Sequence, residues 1–275
     1  MAMRIIELHP ASALEALAAE EAVLEAVNAG EAEPAWISWT APSRCAVLGT
    51  SRPAAGDLFL ERLRADGVPV LRRRSGGGTV LLGPESPAVA MIARREASGS
   101  PLENPSPYPL PQGERGDRNA TFQRAAGSIR ESYLAFCEVL VAVLARLGVT
   151  ARFEPPADLA AGNRKVAGLA QRRKRAAVLV GACVLAEPLA AAAARGLREP
   201  AAADSPAYRA GRAHGEFMTS LAEAGCARPA EDWRRALREE LIARGAVAGR
   251  MAPIELSRAP ELAAELARPE WVHRF

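Results

Sequence analysis

Arg72-Arg-Arg-Ser-Gly-Gly-Gly-Thr79 combines three arginines and three glycines in one short stretch of this 275-residue chain. Its three consecutive glycines carry no Cβ, so backbone N–H groups there can approach an anion or a carbonyl closely. The three arginines supply positive charge beside them, and Ser75 and Thr79 add hydroxyl donors. The loop therefore predicts a place where a phosphate, a carboxylate or an acyl-adenylate is held.

The segments on both sides of this glycine loop have the pattern of strands. Val68-Pro-Val-Leu71 precedes the loop and Thr79-Val-Leu-Leu82 follows it, and both are short apolar runs. Dinucleotide-binding and P-loop motifs need a helix after their glycines, and neither GxGxxG nor a GxxxxGK motif occurs in the chain. The order strand, loop, strand therefore argues against both of these nucleotide-binding folds.

A second stretch, Asp158-Leu-Ala-Ala-Gly-Asn-Arg-Lys165-Val-Ala-Gly168-Leu-Ala-Gln171, places a lysine at the start of a predicted strand. Gly168 in that strand permits a close backbone approach. The 35 Lys and Arg residues include only two lysines, Lys165 and Lys174. Because a guanidinium cannot imitate a compact ammonium in a tight pocket, we expect Lys165 to be functional. Lys174 lies in Arg172-Arg-Lys-Arg175, and no function is expected for it. The three arginines of this hairpin turn, Arg172, Arg173 and Arg175, are predicted to be a solvated tip.

Apolar periodicity and turn residues divide the rest of the chain into helices and strands. The predicted helices are 12–29, 57–66, 126–147, 188–197, 213–225, 231–244 and 259–267, and the further predicted strands are 36–39, 45–48, 165–171 and 177–186. We predict one main domain, residues 1–230, followed by a helical C-terminal appendage, residues 231–275. Residues 97–120 hold five prolines and almost no core-forming residues, so they are predicted to be a disordered insertion.

Composition argues against several classes of protein. The formal net charge is +3 and the pI is about 8.9, which is mild for a nucleic-acid binder. The N-terminus lacks the apolar run of a signal peptide, and no segment reaches the ~18 apolar residues that span a bilayer. Cys45, Cys137, Cys183 and Cys226 show no CxxC spacing, which argues against a zinc site or a disulfide framework. We therefore expect a cytoplasmic protein without a nucleic-acid or membrane partner and without a metal site built from its own side chains.

Further motifs accompany the glycine loop and the lysine strand. Glu20-Glu21 precedes Trp39, Val47-Leu-Gly49 ends a predicted strand, and Tyr208-Arg-Ala-Gly-Arg-Ala-His-Gly-Glu-Phe217 follows the lysine strand. With these features, over most of its length, the chain closely resembles the superfamily of lipoate-protein ligase A and octanoyltransferase. This superfamily has the catalytic domain of the biotin and lipoate protein ligases.

The resemblance implies an α/β (α+β) fold of the class II synthetase and biotin-ligase type, with a mixed sheet flanked by helices. It assigns residues 1–230 to a ligase-type catalytic domain and 231–275 to a short helical extension. It implies a lipoate-protein ligase that activates lipoate or octanoate with ATP and Mg2+ and passes the acyl group to a lysine. The implied acceptors are lipoyl domains of 2-oxo-acid dehydrogenases and the glycine-cleavage H protein. Arg172, Arg173 and Arg175 could then steer an acidic lipoyl domain.

The resemblance also implies roles for single residues. Lys165 is the catalytic residue, and it contacts the acyl carbonyl and the phosphate as an electrostatic clamp rather than as a covalent nucleophile. Asp158 matches an Asp-Leu pair that precedes the lysine in relatives. The residues implied to bind the acyl group and the nucleotide are Arg73, Ser75, Gly76, Gly77, Gly78, Thr79, Asp158 and Gly168.

The chain departs from the pattern of the family at three places. Leu81-Leu-Gly83 stands where relatives carry Tyr-His-Asp or a similar polar run, and Leu179-Val-Gly-Ala182 stands where many carry His-His-Gly-Thr. Arg152-Phe-Glu154 stands where some octanoyltransferases place a nucleophilic cysteine. Two alternatives therefore stay open. One is a transferase that takes octanoyl or lipoyl groups from acyl carrier protein or H protein without ATP, and the other is a non-catalytic acyl-binding descendant.

Two more residues are candidates for the site. Cys183 lies on the strand beside the lysine strand, where it either faces the pocket or is a small buried strand residue. His214 either contacts the acceptor or the nucleotide, or it pairs with Glu216 or Asp204 in a structural contact. The absence of a well-placed thiol favours adenylation over thioester chemistry.

Overall fold

The computed structural model describes residues 2–84, 86–95, 127–226 and 229–275. The insertion predicted at 97–120 lies outside these residues. Within them, eight strands form one mixed sheet and three strands form a smaller one. Helices pack on both faces of the larger sheet, so the predicted α/β architecture is confirmed.

The larger sheet carries the lysine strand. The strands in the described part of the chain are β1 (Arg4–Glu7), β2 (Ala35–Trp39), β3 (Cys45–Leu48), β4 (Val70–Arg72), β5 (Val80–Leu82), β6 (Ala88–Arg94), β7 (Ala151–Glu154), β8 (Asp158–Ala161), β9 (Arg164–Arg173), β10 (Ala177–Val184) and β11 (Val247–Ala248). The order in the larger sheet is β11-β1-β2-β6-β10-β9-β8-β7. β1 is parallel to β2 and β11, and the other neighbours are antiparallel. The predicted hairpin of β9 and β10 is confirmed.

The smaller sheet carries the glycine loop. β3 lies in its middle, parallel to β4 and antiparallel to β5. The loop joins β4 to β5, so it crosses the end of β3 at Gly49. The predicted order strand, loop, strand is therefore confirmed, and its geometry places the loop against the residues that follow β3.

Two hydrophobic cores lie on opposite faces of the larger sheet. The α-helices of the described residues are α1 (Ala13–Ala29), α2 (Ala54–Asp57), α3 (Leu60–Ala65), α4 (Ile129–Arg146), α5 (Ala190–Gly196), α6 (His214–Phe217), α7 (Pro229–Ala243), α8 (Pro253–Leu266) and α9 (Pro269–Val272). α4 and α7 cover one face, where Trp36 stacks on Phe136 with ring centroids 5.4 Å apart. α1 and α8 cover the other face, which receives Ile37. Adjacent residues of β2 thus reach opposite cores, as strand geometry requires.

The residues predicted as a C-terminal appendage, 231–275, take part in both cores. Trp233 of α7 is fully buried beside α4. Leu262 and Leu266 of α8 pack against α1. β11 extends the larger sheet by pairing with β1. These residues therefore pack as part of the main fold, and the domain boundary at 230 stays a prediction.

The helix predicted at 213–225 is wrong beyond its first turn. Only α6 is helical there. Met218 forms a bridge with Lys165, and the Thr219 N–H donates to the Lys165 carbonyl at 2.8 Å. These tertiary hydrogen bonds override the helical propensity of the segment. Because residues 218 and 219 are extended and not helical, their backbone can bind the start of the lysine strand.

The helix predicted at 57–66 is divided between α2 and α3. The division falls at Leu58, which forms a bridge with Leu197. Five strands that the sequence did not predict are β1, β6, β7, β8 and β11. β6 shows why, because it is buried on both faces from 88 to 93 and so has no alternating pattern. Among the described helices, none is long and apolar enough to cross a membrane.

The first core makes a stability prediction. Leu140 of α4 is fully buried, so Leu140→Ala should lower the free energy of unfolding by about 2–5 kcal/mol. Leu256 of α8 is 57% exposed, so Leu256→Ala is the matched control and should change it by about 0.5 kcal/mol or less. Urea unfolding of both variants measures the difference. Equal losses would contradict the assignment of this core.

Candidate active site

A cavity of about 720 Å³ lies between the glycine loop and the lysine strand. Residues of α1, β5, β9, β10 and the segment 197–218 line it. Of the predicted site residues, those that line the cavity are Arg73, Ser75, Gly77, Gly78, Thr79, Asp158, Lys165, Gly168, Cys183 and His214, and Gly76 does not. The fold therefore brings together residues that are far apart in the sequence.

Lys165 is held in an ion pair at the wall of this cavity. Its Nζ lies 2.6 Å from Oδ1 of Asp158, and the Tyr208 hydroxyl donates to Oδ2 of the same carboxylate at 2.9 Å. The Asp158 side chain is 8% exposed and the Lys165 side chain 26% exposed. Burial, together with the neighbouring Asp158 charge, raises the pKa of Tyr208, so the phenol remains a donor. The carboxylate is thus fixed from two sides, and the ammonium keeps access to the cavity.

Gly168 makes room for the lysine side chain. It pairs with Asp158 across the β8–β9 hairpin, so the carboxylate and the ammonium come from one local unit. A Cβ on Gly168 would lie 2.9 Å from Nζ of Lys165 and 3.0 Å from its Cε. The glycine predicted here as a close-approach residue therefore leaves space for the ion pair itself.

Arg73 holds the glycine loop from within. Its Nη2 donates to the carbonyls of Gly76 and Gly78, both at 2.7 Å, and its Nε donates to the Ser75 hydroxyl at 3.0 Å. Nη1 donates to the Val47 carbonyl of β3 at 3.3 Å. Burial lowers the pKa of the Arg73 guanidinium. Because the guanidinium binds two of the loop carbonyls, these carbonyls are not free to repel a bound anion.

The close crossing of the loop over β3 explains a second glycine. A Cβ on Gly49 would lie 2.1 Å from the carbonyl oxygen of Gly77, a distance that no side chain tolerates. Gly77 has a φ of 85°, in the left-handed region that glycine adopts without strain. The Thr50 N–H donates to the Ser75 carbonyl at 2.9 Å. The loop therefore lies directly on the turn after β3.

Thr79 ends the loop by binding Asp57. Its hydroxyl donates to that carboxylate, which also accepts from Arg52 at 2.6 Å and 2.8 Å. Burial raises the pKa of Asp57, but the hydrogen bonds from Arg52 and Thr79 outweigh it, and the pKa is lowered. Arg52 also pairs with Asp204 at 3.0 Å. These residues join α2 to the segment on the other side of the cavity.

The other two loop arginines serve the fold instead of presenting charge to the cavity. Arg72 is fully buried, and Arg74 pairs with Glu265 of α8 and lies 3.6 Å from Glu25 of α1. The expectation that all three arginines supply charge to a bound anion is therefore corrected. Of the three, Arg73 alone lines the cavity.

Glu20 is a cavity residue that the sequence did not predict as part of the site. Its carboxylate accepts from Nε1 of Trp39 at 2.7 Å. Burial raises the pKa of Glu20 to about 7, and the Glu21 charge adds to this, although Trp39 and Arg73 oppose it. The sequence did contain a signal for Glu20, because Glu20-Glu21 and Trp39 both belong to the family pattern. That pattern was used only as evidence for the resemblance and not to assign a site residue.

Cys183 faces the cavity instead of being only a small buried strand residue. It pairs with Gly168 of β9 and lines the cavity wall. Burial raises the pKa of its thiol, while the charges of Lys165 and Arg73 act in the opposite direction. The thiol therefore lies beside the ammonium but in a setting that favours its protonated form.

His214 is buried in a contact with Glu199. The backbone N–H of His214 donates to Oε1 of Glu199 at 3.0 Å, and Nε2 of its ring lies 3.5 Å from Oε2 of the same carboxylate. Arg209 also binds Glu199. Burial lowers the pKa of His214, so the neutral ring is favoured. The predicted partners Glu216 and Asp204 are thus replaced by Glu199, and the ring lines the cavity as well.

The prediction that Arg172, Arg173 and Arg175 form a solvated tip is wrong for Arg172 and Arg173. Arg172 lies 3.0 Å from Glu21, and Lys174 lies 2.9 Å from Glu25. Arg173 donates to the Ser132 hydroxyl at 2.8 Å. The turn folds onto α1 because the buried carboxylate of Glu21 needs a cation, and the hydrogen bond of Arg173 holds it against α4. Only Arg175 of this tip is exposed.

The chain belongs to the lipoyl protein ligase A/B catalytic domain family, whose model matches residues 12–104 and 119–242. The predicted superfamily and the predicted class of enzyme, a lipoate-protein ligase or acyltransferase, are therefore confirmed. A search of curated proteins found no sequence match.

Solved structures share the fold at low sequence identity. A proposed lipoate protein ligase from T. acidophilum with bound lipoic acid is 18% identical over 100% of both chains, with a TM-score of 0.75. A lipoate-protein ligase A bound with ATP is 18% identical over 99% of both chains, with a TM-score of 0.77. A bi-partite lipoate protein ligase from Thermoplasma acidophilum, described with its E2 lipoyl domain, is 17% identical over 99% of this chain and 96% of that one, with a TM-score of 0.77. At these identities the likeness shows the fold alone.

Glu20 should make the free energy of unfolding depend on pH. Its pKa is raised from 4.5 to about 7, so the folded chain holds a proton that the unfolded chain releases earlier. The resulting stability is present at low pH and is lost as pH rises through about 7. Glu20→Gln stays uncharged, so from about pH 5 to pH 8 the unchanged protein should lose up to about 3 kcal/mol relative to this variant.

Urea unfolding at several pH values across that range measures the loss. Glu239→Gln, at an exposed position of α7, is the control and should follow the unchanged protein. If Glu20→Gln and the unchanged protein show parallel curves, Glu20 does not titrate in this range.

Proposed function

We propose that this chain is a lipoate-protein ligase that activates lipoate or octanoate with ATP and transfers the acyl group to a lysine of a lipoyl domain or H protein. The observation that carries the proposal is the placement of Lys165, paired with Asp158, and the glycine loop around one cavity. The family of the chain supports it. So do the ligands of similar structures, lipoic acid in one and ATP in another.

The cavity has an apolar wall suited to a hydrocarbon chain. The apolar side chains that line it and also belong to the core beside α1 are Leu17, Trp39, Val47, Leu82, Ala88 and Leu179. Each methylene that leaves water for such a wall gains about 0.8 kcal/mol. An octanoyl or lipoyl chain would lie there, with its carboxylate toward Lys165 and the glycine loop.

In the activation step, a carboxylate oxygen of the acid attacks the α-phosphorus of ATP and pyrophosphate leaves. Negative charge develops at the phosphoryl group, and fixed donors in a site shielded from water stabilise such charge most strongly. The Lys165 ammonium and the backbone N–H groups of the glycine loop would supply these donors. The pairing with Asp158 orients the ammonium and makes it a positioned cation.

In the transfer step, the amine of the acceptor lysine attacks the acyl carbonyl. The new C–N bond forms as the C–O bond to AMP breaks, and the amine loses a proton to solvent, which leaves an amide and AMP. Lys165 would stabilise the charge on the carbonyl oxygen and on the departing phosphate. Mg2+ would travel with the triphosphate, because Mg2+ is usually held by substrate phosphates and one or two carboxylates. Within the described residues, no cluster of three or more His, Cys, Asp or Glu side chains offers a separate metal cage.

The position of Cys183 favours a second candidate function, acyl transfer from acyl carrier protein or H protein without ATP. Its thiolate would attack the thioester carbonyl, release the carrier thiol, and then lose the acyl group to the acceptor amine. Lys165 and Arg73 lie close enough to act on the thiol electrostatically. Burial nevertheless raises the pKa of that thiol, which favours the ligase because the thiolate is the nucleophile.

An acylation assay tests the proposal. The protein is incubated with lipoate or octanoate, ATP, Mg2+ and an apo lipoyl domain or apo H protein, and the acceptor is measured by intact mass. The acceptor should gain one acyl group, and only with ATP present. A gain from acyl carrier protein alone would favour the transferase, and no gain with either donor would leave the non-catalytic descendant.

Lys165→Ala should reduce the rate of this acylation by about 100-fold or more, because a positioned charge at the reacting centre is lost. Lys174→Ala is the matched control, since Lys174 pairs with Glu25 on α1. That variant should keep most of the activity. An unchanged rate in Lys165→Ala would show that the site is wrongly assigned.

Cys183→Ser separates the two candidate functions. Serine preserves the size of the side chain and removes the thiolate, so a ligase should keep its ATP-dependent rate within about three-fold, whereas a thioester route should stop. Mass spectrometry of the protein after incubation with acyl carrier protein shows whether Cys183 itself gains an acyl group. Loss of the ATP-dependent activity in Cys183→Ser would contradict the preference for the ligase.

A further inference from the structure

Arg72, the first loop arginine, is the most deeply buried charged side chain next to the candidate site. It is 0% exposed. Its Nη1 donates to the carbonyls of Gly49 at 2.9 Å and Arg52 at 2.7 Å, in the turn after β3. Its Nε donates to the Val272 carbonyl of α9 at 3.0 Å. One side chain thus joins the loop, the turn beneath it and a segment 200 residues away.

Residues 269–275, which comprise α9 and the residues after it, also bind the end of β4 and the turn after β3. Nε1 of Trp271 donates to the Arg72 carbonyl at 2.8 Å. Arg274 donates to the carbonyl of Thr50 and, at 2.7 Å, to its hydroxyl. The Arg274 guanidinium also stacks over the Trp271 ring, 4.0 Å from its centre. The indole and the guanidinium therefore support each other while each binds the backbone beneath the loop.

These contacts lead directly into the glycine loop. Thr50, which Arg274 binds, donates its N–H to the Ser75 carbonyl. Arg72, which Trp271 binds, precedes Arg73, whose N–H donates to the Leu48 carbonyl at 3.0 Å. The loop can therefore keep its shape only while the turn after β3 and the end of β4 stay in place.

We propose that Trp271 and Arg274 are positioning residues that hold the glycine loop in its ligand-binding shape from behind. They do not line the cavity, so their effect reaches a ligand only through Arg72, Thr50 and the loop. A loop that spends part of its time out of place binds its ligand more weakly, because the apparent affinity is the intrinsic affinity multiplied by the fraction of time that the loop is in place. The expected weakening of ligand binding rests on the proposed function, whereas the expected loosening of the glycine loop does not.

Hydrogen exchange in the ligand-free protein tests the proposal. The reporters are the N–H groups of Thr50, Arg73 and Gly76, which all hydrogen-bond within or beside the loop. Trp271→Phe keeps an aromatic ring, smaller than the indole, and removes the N–H donor, and Arg274→Ala removes the other support. Because one such hydrogen bond stabilises a closed state modestly, exchange at the reporters should rise on the order of five-fold in each variant.

His273→Ala is the matched control, because His273 lies between the two positions and its side chain is exposed. It should leave the reporters unchanged. Amides between β6 and β10 should also keep their rates in all variants. Reporter rates within two-fold of the unchanged protein would overturn the proposal, and so would equal acceleration of the β6 and β10 amides, which would show a general loss of stability.

Acylation kinetics provide the second readout. Trp271→Phe and Arg274→Ala should raise KM for lipoate or ATP by the factor by which the fraction of protein with its loop in place falls, and should leave kcat within two-fold, because the chemistry of Lys165 is untouched. Arg274→Lys retains a donor for Thr50 and should recover most of the loss. A fall in kcat at constant KM would contradict the positioning role. If the unchanged protein acylates nothing, the proposed function fails, and the exchange experiment still decides the role of Trp271 and Arg274.

Discussion

The site depends on the hydrogen bonds by which Arg73 holds the glycine loop. A run of three glycines has many conformations in the unfolded chain, and fixing it costs more entropy than fixing any other residues. One guanidinium offsets part of this cost by binding the carbonyls of Gly76 and Gly78 and the hydroxyl of Ser75. It does so in a rigid planar geometry that lysine could not provide. The loop then has one shape, and Lys165 can lie opposite it.

Much of the site could be predicted from the sequence because its parts are local motifs. The turn rich in Gly and Asn before Lys165 indicates a hairpin. Gly168, which has no side chain, indicates that another group comes close to the backbone of the lysine strand. Asp158, the partner of Lys165, was named only because of the resemblance to the family. The separation of the two residues in sequence does not by itself indicate that they are in contact across strands. Its pairing with Lys165 follows from the β8–β9 register.

What the sequence could not predict depends on contacts between distant segments. The support of Arg72 by α9 joins positions 200 residues apart, and no local pattern encodes such a pair. The same holds for the tip at 172–175, where adjacent arginines suggested a solvated turn and α1 carboxylates bind it instead. Met218 and Thr219 likewise leave a helical pattern because the start of β9 offers them hydrogen bonds.

The apolar residues at the departures from the family pattern line the cavity. Leu81, Leu82, Gly181 and Ala182 all face it, so the polar groups expected at these places are replaced by a surface that cannot donate hydrogen bonds. The charged groups that do line the cavity, among them Lys165 and Arg73, must then carry more of the electrostatic stabilisation.

The scarcity of lysine has a consequence for a protein that handles activated acyl groups. Such groups react with free amines wherever they meet them. Both lysines of this chain are paired with carboxylates, Lys165 with Asp158 and Lys174 with Glu25. An ammonium in an ion pair is a poor nucleophile, and guanidinium groups stay protonated at any ordinary pH. The surface is therefore rich in positive charge yet offers few sites for acylation of the protein itself.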